Sequence, residues 1–260
     1  MNKNNTLFFY KNHINEIERE LAIMLGKVTH HIHPEIVSFI SEKNEKYKAV
    51  FKKLCGKACP IDAFFYPNSD CVFPGTRRPV NNEISEKNWK NNVYHADGTI
   101  LNDNTYPRHI WTYLAMNKGY SGGGSGSWGE SGLSQFELAH VFAHKQDERQ
   151  LEKKTFSNFK SSVKPYGMFT SASNVVLIPK GLAKPTDGLE SVQKCFFKRH
   201  LELYGHNMPG LGKFDEALIP EWYGNIKWLP YEAPRDWERR ITNLLNYREE
   251  HLVKKYVTEC

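Results

Sequence analysis

Within the stretch FELAHVFAHK, Phe136 to Lys145, one glutamate and two histidines interrupt an otherwise apolar run: Glu137, His140 and His144. Imidazole changes protonation near neutral pH, with an unperturbed pKa of about 6.5, so a histidine at a strand end can act as a general base. Carboxylate and imidazole together also form a donor set for a divalent cation. A second apolar run, SASNVVLIPKGLAKPTD, holds Asn174 near its start and Asp187 at its end. Each half has a plainer reading. A strand with one histidine is more often core than catalytic, and His144 beside Lys145 reads as a second ligand or, more plainly, as a solvent-facing neighbour. A site is favoured because His140, Glu137, Asn174 and Asp187 fall together across two apolar runs and a helix start.

These two runs resemble the HNH nuclease family, also called the ββα-metal or His-Me finger fold, over roughly Phe136 to Tyr204. In that family a histidine ends the first strand, an asparagine begins the second, and a metal-binding residue projects from the helix that follows. The resemblance implies that His140 is the general base activating water for phosphodiester hydrolysis and that Asn174 fixes the loop between the strands. One branch of the family reads Glu-x-Ala-His, which Glu137-Leu138-Ala139-His140 matches. In that branch Asp187 falls on a ligand position and so does Glu137, whereas the position of a further histidine is occupied by Ala183. Three explanations of Ala183 stand side by side: a ligand supplied instead by Asp187 or His144, a site that has lost hydrolysis, or an alanine introduced to stop cleavage. The implied cofactor is one Mg²⁺ or Mn²⁺, steadying charge on the phosphate and the leaving oxygen.

The elements needed to position these residues are legible around them. The expected fold class is α+β, a ββα-metal core embedded in a mainly helical and loop-rich single chain. Apolar residues at three- and four-residue steps, Ile14, Ile17, Leu21, Met24 and Leu25, then Ile36, Phe39 and Ile40 after Pro34, predict two opening helices over residues 13–53. Prolines and turn residues make Cys55 to Tyr106 irregular. The Gly- and Ser-rich segment Lys118 to Gly132 reads as a flexible linker or as a mobile loop against a ligand. Beyond it the expected order is a strand over Gln135 to Phe142, a long basic loop over Lys145 to Tyr166, a strand over Asn174 to Ile178, a helix over Pro185 to Tyr204 and a last helix over Pro234 to Tyr256. The expected division is an N-terminal region 1–120 with possible recognition of DNA, a nuclease core 121–206 and a C-terminal helical extension 207–260.

Composition bounds the partners. The 260 residues carry 35 Lys and Arg against 29 Asp and Glu, a formal charge of +6 that tilts toward a polyanion without establishing one. Hydrophobic residues make up 40% of the chain, enough for a folded core. No apolar run is long enough to span a bilayer and the N-terminal patch is too short for a signal peptide, so a cytoplasmic place is expected. Five cysteines suit reduced thiols, and structural zinc is not expected, because CGKAC supplies a single ligand pair. The HHIH run, His30 to His33, reads as surface or helix cap.

The reading that follows is a metal-dependent endonuclease on double-stranded DNA, a type II restriction or defence enzyme, with a homodimer as a candidate assembly. Lys145, Lys153, Lys154, Lys180, Lys184, Lys194 and Lys198 are candidate backbone contacts, and Arg77, Arg78 and Arg108 candidate base readers, since loop arginines can pair two acceptors on guanine. The alternatives are a nucleic-acid-binding protein of the same fold without hydrolysis, and an RNA-cutting nuclease.

Overall fold

The computed structural model describes residues 3–55, 61–77, 101–102, 104–123, 125–145, 147–205, 208–231 and 233–258. Two long helices open it, α1 over Lys3–Val28 and α2 over Pro34–Cys55. Pro34 stands at the first position of α2, where no amide is needed, and Glu35 lies in the first turn. His33 Nδ1 accepts the Glu35 amide at 3.2 Å, so the cap expected of the histidine run falls to His33. A short helix α3 (Ile61–Phe64) and a parallel two-residue pair, β1 (Thr76–Arg77) with β2 (Leu101–Asn102), follow. Helix α4 (Tyr106–Met116) has Pro107 in its first turn and stops at Asn117, whose left-handed backbone lets its amide reach the Tyr113 carbonyl.

The Gly- and Ser-rich stretch is folded on itself. Its short helix α5 (Ser127–Glu130) puts Trp128 into the core, the Ser127 hydroxyl accepts the Ser121 amide at 2.7 Å, and Lys118 meets Glu130 at 3.1 Å. A Cβ on Gly126 would stand 2.0 Å from the Gly122 carbonyl oxygen, so glycine there serves close backbone approach.

Strand β3 (Phe136–His140) pairs antiparallel with β5 (Val175–Pro179), in a register that sets His140 opposite Val175 and Phe136 opposite Pro179. Side chains alternate across the pair. Phe136, Leu138, Val175 and Leu177 belong to one apolar cluster, while Ala139, Val141, Val176 and Ile178 belong to the other. The small sheet is thus a wall between two cores, which explains why the second strand reads as a continuous apolar run. Its far edge is covered by His30, which exchanges two backbone hydrogen bonds with Leu177.

Between the two strands the sequence predicts one basic loop. Instead the chain forms a helix, α6 (Gln150–Thr155), and a strand, β4 (Phe156–Ser157), which pairs with β6 (Lys213–Phe214). Six residues rich in Lys and Glu carry too little apolar periodicity for α6 to be read in advance; burial of Glu152 and Thr155 fixes it. After β5 the helix predicted over Pro185 to Tyr204 breaks into α7 (Lys184–Gly188) and α8 (Glu190–Tyr204), with extended backbone at Leu189. Helix α8 packs Val192, Phe196 and Phe197 in the second cluster with Ala22 and Leu25 of α1. The last helix, α9 (Trp237–Thr258), closes the first cluster with Ile241, Leu244, Leu245 and Leu252 against α2 and α4. The architecture is mixed helix and sheet with small two-stranded sheets, and no described helix is long and apolar enough to cross a membrane.

Candidate functional site

Strand β3 ends on His140, and the chain then turns through Val141 to His144 instead of continuing. Two buried groups hold that turn. Asn174, fully buried just ahead of β5, accepts the Phe142 amide on Oδ1 at 2.7 Å and donates from Nδ2 to the Phe142 carbonyl at 3.0 Å. The same Nδ2 donates to the Met168 carbonyl at 3.0 Å, and the Asn174 carbonyl takes the Val141 amide at 2.9 Å. One carboxamide therefore clamps the backbone just after His140 to the segment before β5. A carboxamide offers a donor and an acceptor side by side in a fixed plane.

The second clamp comes from α6. Glu152, buried, accepts the Ala143 amide on Oε1 at 2.8 Å. Burial raises its carboxyl above the usual range, opposed by the Ala143 amide and the nearby Arg149 guanidinium. Arg149 is itself buried, donating to the Pro209 carbonyl at 2.9 Å with its guanidinium over the Phe159 ring. On the opposite flank, Asp70 accepts the Ser171 hydroxyl and the Ser173 amide, each at 2.6 Å, and so fixes the approach to Asn174.

The imidazole of His140 is half-buried, and its Nε2 lies 3.0 Å from the Phe169 carbonyl. A carbonyl oxygen only accepts, so the proton of the neutral ring resides on Nε2 and Nδ1 is the basic nitrogen. The ring stacks on Phe169 at 5.5 Å, and His144 approaches it to 4.5 Å between centroids. The two imidazoles thus share one aromatic platform.

The expected metal ligands are distributed differently. Glu137 is exposed on β3, and strand alternation turns it to the face opposite His140. Ala183 is half-buried at the start of α7, and the exposed Asp187 lies 3.9 Å from Lys184. Among the described residues no three His, Cys, Asp or Glu side chains converge to hold a metal ion.

Most of the lysines named as backbone contacts sit in surface ion pairs. Lys145 pairs with Glu148, Lys154 and Lys194 with Glu190, and Lys198 with Glu216. Such pairs are worth little and open readily to a stronger anion. Lys153 and Lys180 are exposed. Arg108 is engaged within the fold, donating to the Tyr120 hydroxyl at 2.9 Å with its guanidinium near the Tyr120 and Trp128 rings. Arg77 lies on β1, its side chain outside the description, and Arg78 lies outside the described residues. Cys71 and Cys195 are free, buried thiols, each pushed up to about 12 by burial.

No family model matches the chain, and no curated protein or solved structure matches it. Glu152, Arg149, Asp70 and Phe169 escaped the reading of the sequence. Glu152 is one acid in a lysine-rich stretch and Asp70 one turn residue in NSDC, and neither spacing announces burial.

Proposed function

We propose that the chain hydrolyses phosphodiester bonds as an endonuclease of the HNH kind, with double-stranded DNA as substrate and His140 as general base. The observation that supports it most is the clamp of Asn174 on the turn after His140, which fixes an imidazole at a strand end as base catalysis requires. Phe169 holds the Nε2 proton, so Nδ1 of His140 takes the proton from water. No step is routed through an ion. Dependence on Mg²⁺ or Mn²⁺ is a property for assay.

A second reading, a nucleic-acid-binding protein without hydrolysis, is favoured by Ala183 and by the separated acids. Supercoiled plasmid and tRNA offered side by side, with Mg²⁺, Mn²⁺ or EDTA, distinguish them. Nicking of the plasmid supports the DNA endonuclease, and loss of tRNA alone moves the substrate to RNA. Failure of both this chain and Ala183→His to cut either nucleic acid, alongside retained binding, establishes the second reading.

A further inference from the structure

Away from the candidate site, α2 and α9 flank an open cavity of about 310 Å³. Lys43 and Lys46 line it from α2, Thr242, Asn246 and Arg248 from α9. Lys43 and Lys46 are one helical turn apart, so they share a face. Glu249 is the one carboxylate among the lining residues, against three cations.

Arg248 is the unusual member. Its side chain is 1% exposed, so a fixed positive charge lies at the floor of the cavity. Nη1 donates to Asn44 Oδ1 at 2.7 Å, and the guanidinium carbon lies 3.9 Å from the centre of the Tyr47 ring. Those contacts anchor α9 to α2, because Asn44 in turn donates to the Ser69 and Cys71 carbonyls at 2.8 and 2.9 Å. They leave the other edge of the fork undersupplied. Nε is buried without a hydrogen-bond partner, and Nη2 reaches Glu249 only at 3.8 Å, too long for a hydrogen bond. A buried guanidinium with an unpaired N–H and no close carboxylate is costly unless an anion joins it. Burial draws it down to about 10, which still leaves it charged at neutral pH.

We propose that this cavity binds a phosphate group, received side-on by the Nε and Nη2 edge of Arg248 and flanked by Lys43 and Lys46. That edge presents two parallel N–H groups, the spacing that two phosphate oxygens accept. Two lysines at the mouth match the second charge of a phosphate, which a single carboxylate would not need. Glu249, half-exposed on α9, swings outward as the phosphate takes its place. The phosphate comes either from a free phosphate compound or from a nucleic-acid backbone, and both present the same oxygens.

The full chain is titrated with sodium phosphate and with pyrophosphate by calorimetry and by thermal unfolding, at ionic strength matched with sodium chloride. A labelled DNA duplex is titrated in parallel. Saturable binding of phosphate or duplex is expected for the parent, and a loss of tenfold or more in affinity for the double variant Lys43→Glu, Lys46→Glu, whose changes lie outside the packed core. Arg248→Lys, which keeps the charge and removes the side-on fork, is expected to lose at least tenfold where it folds. If these variants lose free phosphate but keep duplex affinity, the source is a free phosphate compound. If duplex affinity falls with them and phosphate competes, the source is the backbone. Absence of saturable binding of any of these probes, or unchanged affinities in the lysine double variant, overturns the proposal. Neither result depends on cleavage, so the endonuclease reading stands or falls separately.

Discussion

Asn174 carries more of the local structure than any other side chain near His140. Replacing it with alanine removes three hydrogen bonds from a dry site and leaves the Phe142 amide and two carbonyls to be satisfied elsewhere. Asn174→Ala is expected to cost about 3 kcal/mol, from unsatisfied buried groups at about 1–3 kcal/mol each, measured by urea unfolding. Asn174→Asp is expected to cost at least as much, since a carboxylate would face two carbonyl oxygens; a variant as stable as the parent would show that the clamp is not formed. His31 gives a residue-scale test by pH. The sequence places it in a run read as surface or cap, but it is buried beside Phe196 and Trp228 because α8 and residues 226–229 close over it. Burial, with Arg199 and His200 adding, lowers it to about 3. The unfolded chain binds this proton at about pH 6.5 and the folded chain only near 3, so its contribution is full above pH 6.5 and falls on acidification by about 1.4 kcal/mol per pH unit. His31→Leu is expected to flatten the loss of stability between pH 6.5 and 4, read as urea midpoints at several pH values; an unchanged slope contradicts the burial.

Helix α8 is held to the end of β3 largely through rings. Phe142, buried, stacks on Phe197 of α8 at 4.6 Å and meets His200 edge-on at 4.8 Å. Phe142→Ala is expected to cost about 3–5 kcal/mol by transfer and cavity terms. Because the Asn174 clamp grips the backbone of that same residue, the loss should be accompanied by faster amide exchange at Phe142, whereas unchanged exchange would separate packing from the clamp. Elements with strong apolar periodicity were legible from the sequence: α1, α2, the strand pair, α8 and α9. The two strands were legible as apolar runs, whereas their pairing was expected only from the resemblance to the ββα family. Helix α6 was not, since its identity rests on the tertiary burial of Glu152 and Thr155 and not on a repeating apolar stripe.

At the scale of the whole molecule, the candidate site is assembled from distant parts of the chain. Asp70 reaches from the N-terminal region to Ser171 and Ser173, and the first cluster joins Ile32, Val175 and Leu252 in one core. The sequence divided the single chain into three regions at shifts of composition, whereas long-range contacts such as these leave no mark on spacing. Asp70→Ala is expected to lower stability by about 3 kcal/mol, from the loss of hydrogen bonds to a charged group at about 1.5–3 kcal/mol each, and to weaken protection of the Ser173 amide. Unchanged exchange at Ser173 would show that the N-terminal region does not support the site.

The placement of His140 is tested most directly by single-turnover cleavage of an end-labelled DNA duplex by the parent chain and by His140→Ala, each with Mg²⁺ or Mn²⁺. If Ala183 alone leaves the parent silent, the same pair is compared in the Ala183→His background. The expected result is cutting by the parent and a loss of about 10²–10⁴ in rate on removing the imidazole, with duplex affinity in EDTA unchanged. Cleavage by His140→Ala at the parental rate would contradict the assignment of the base.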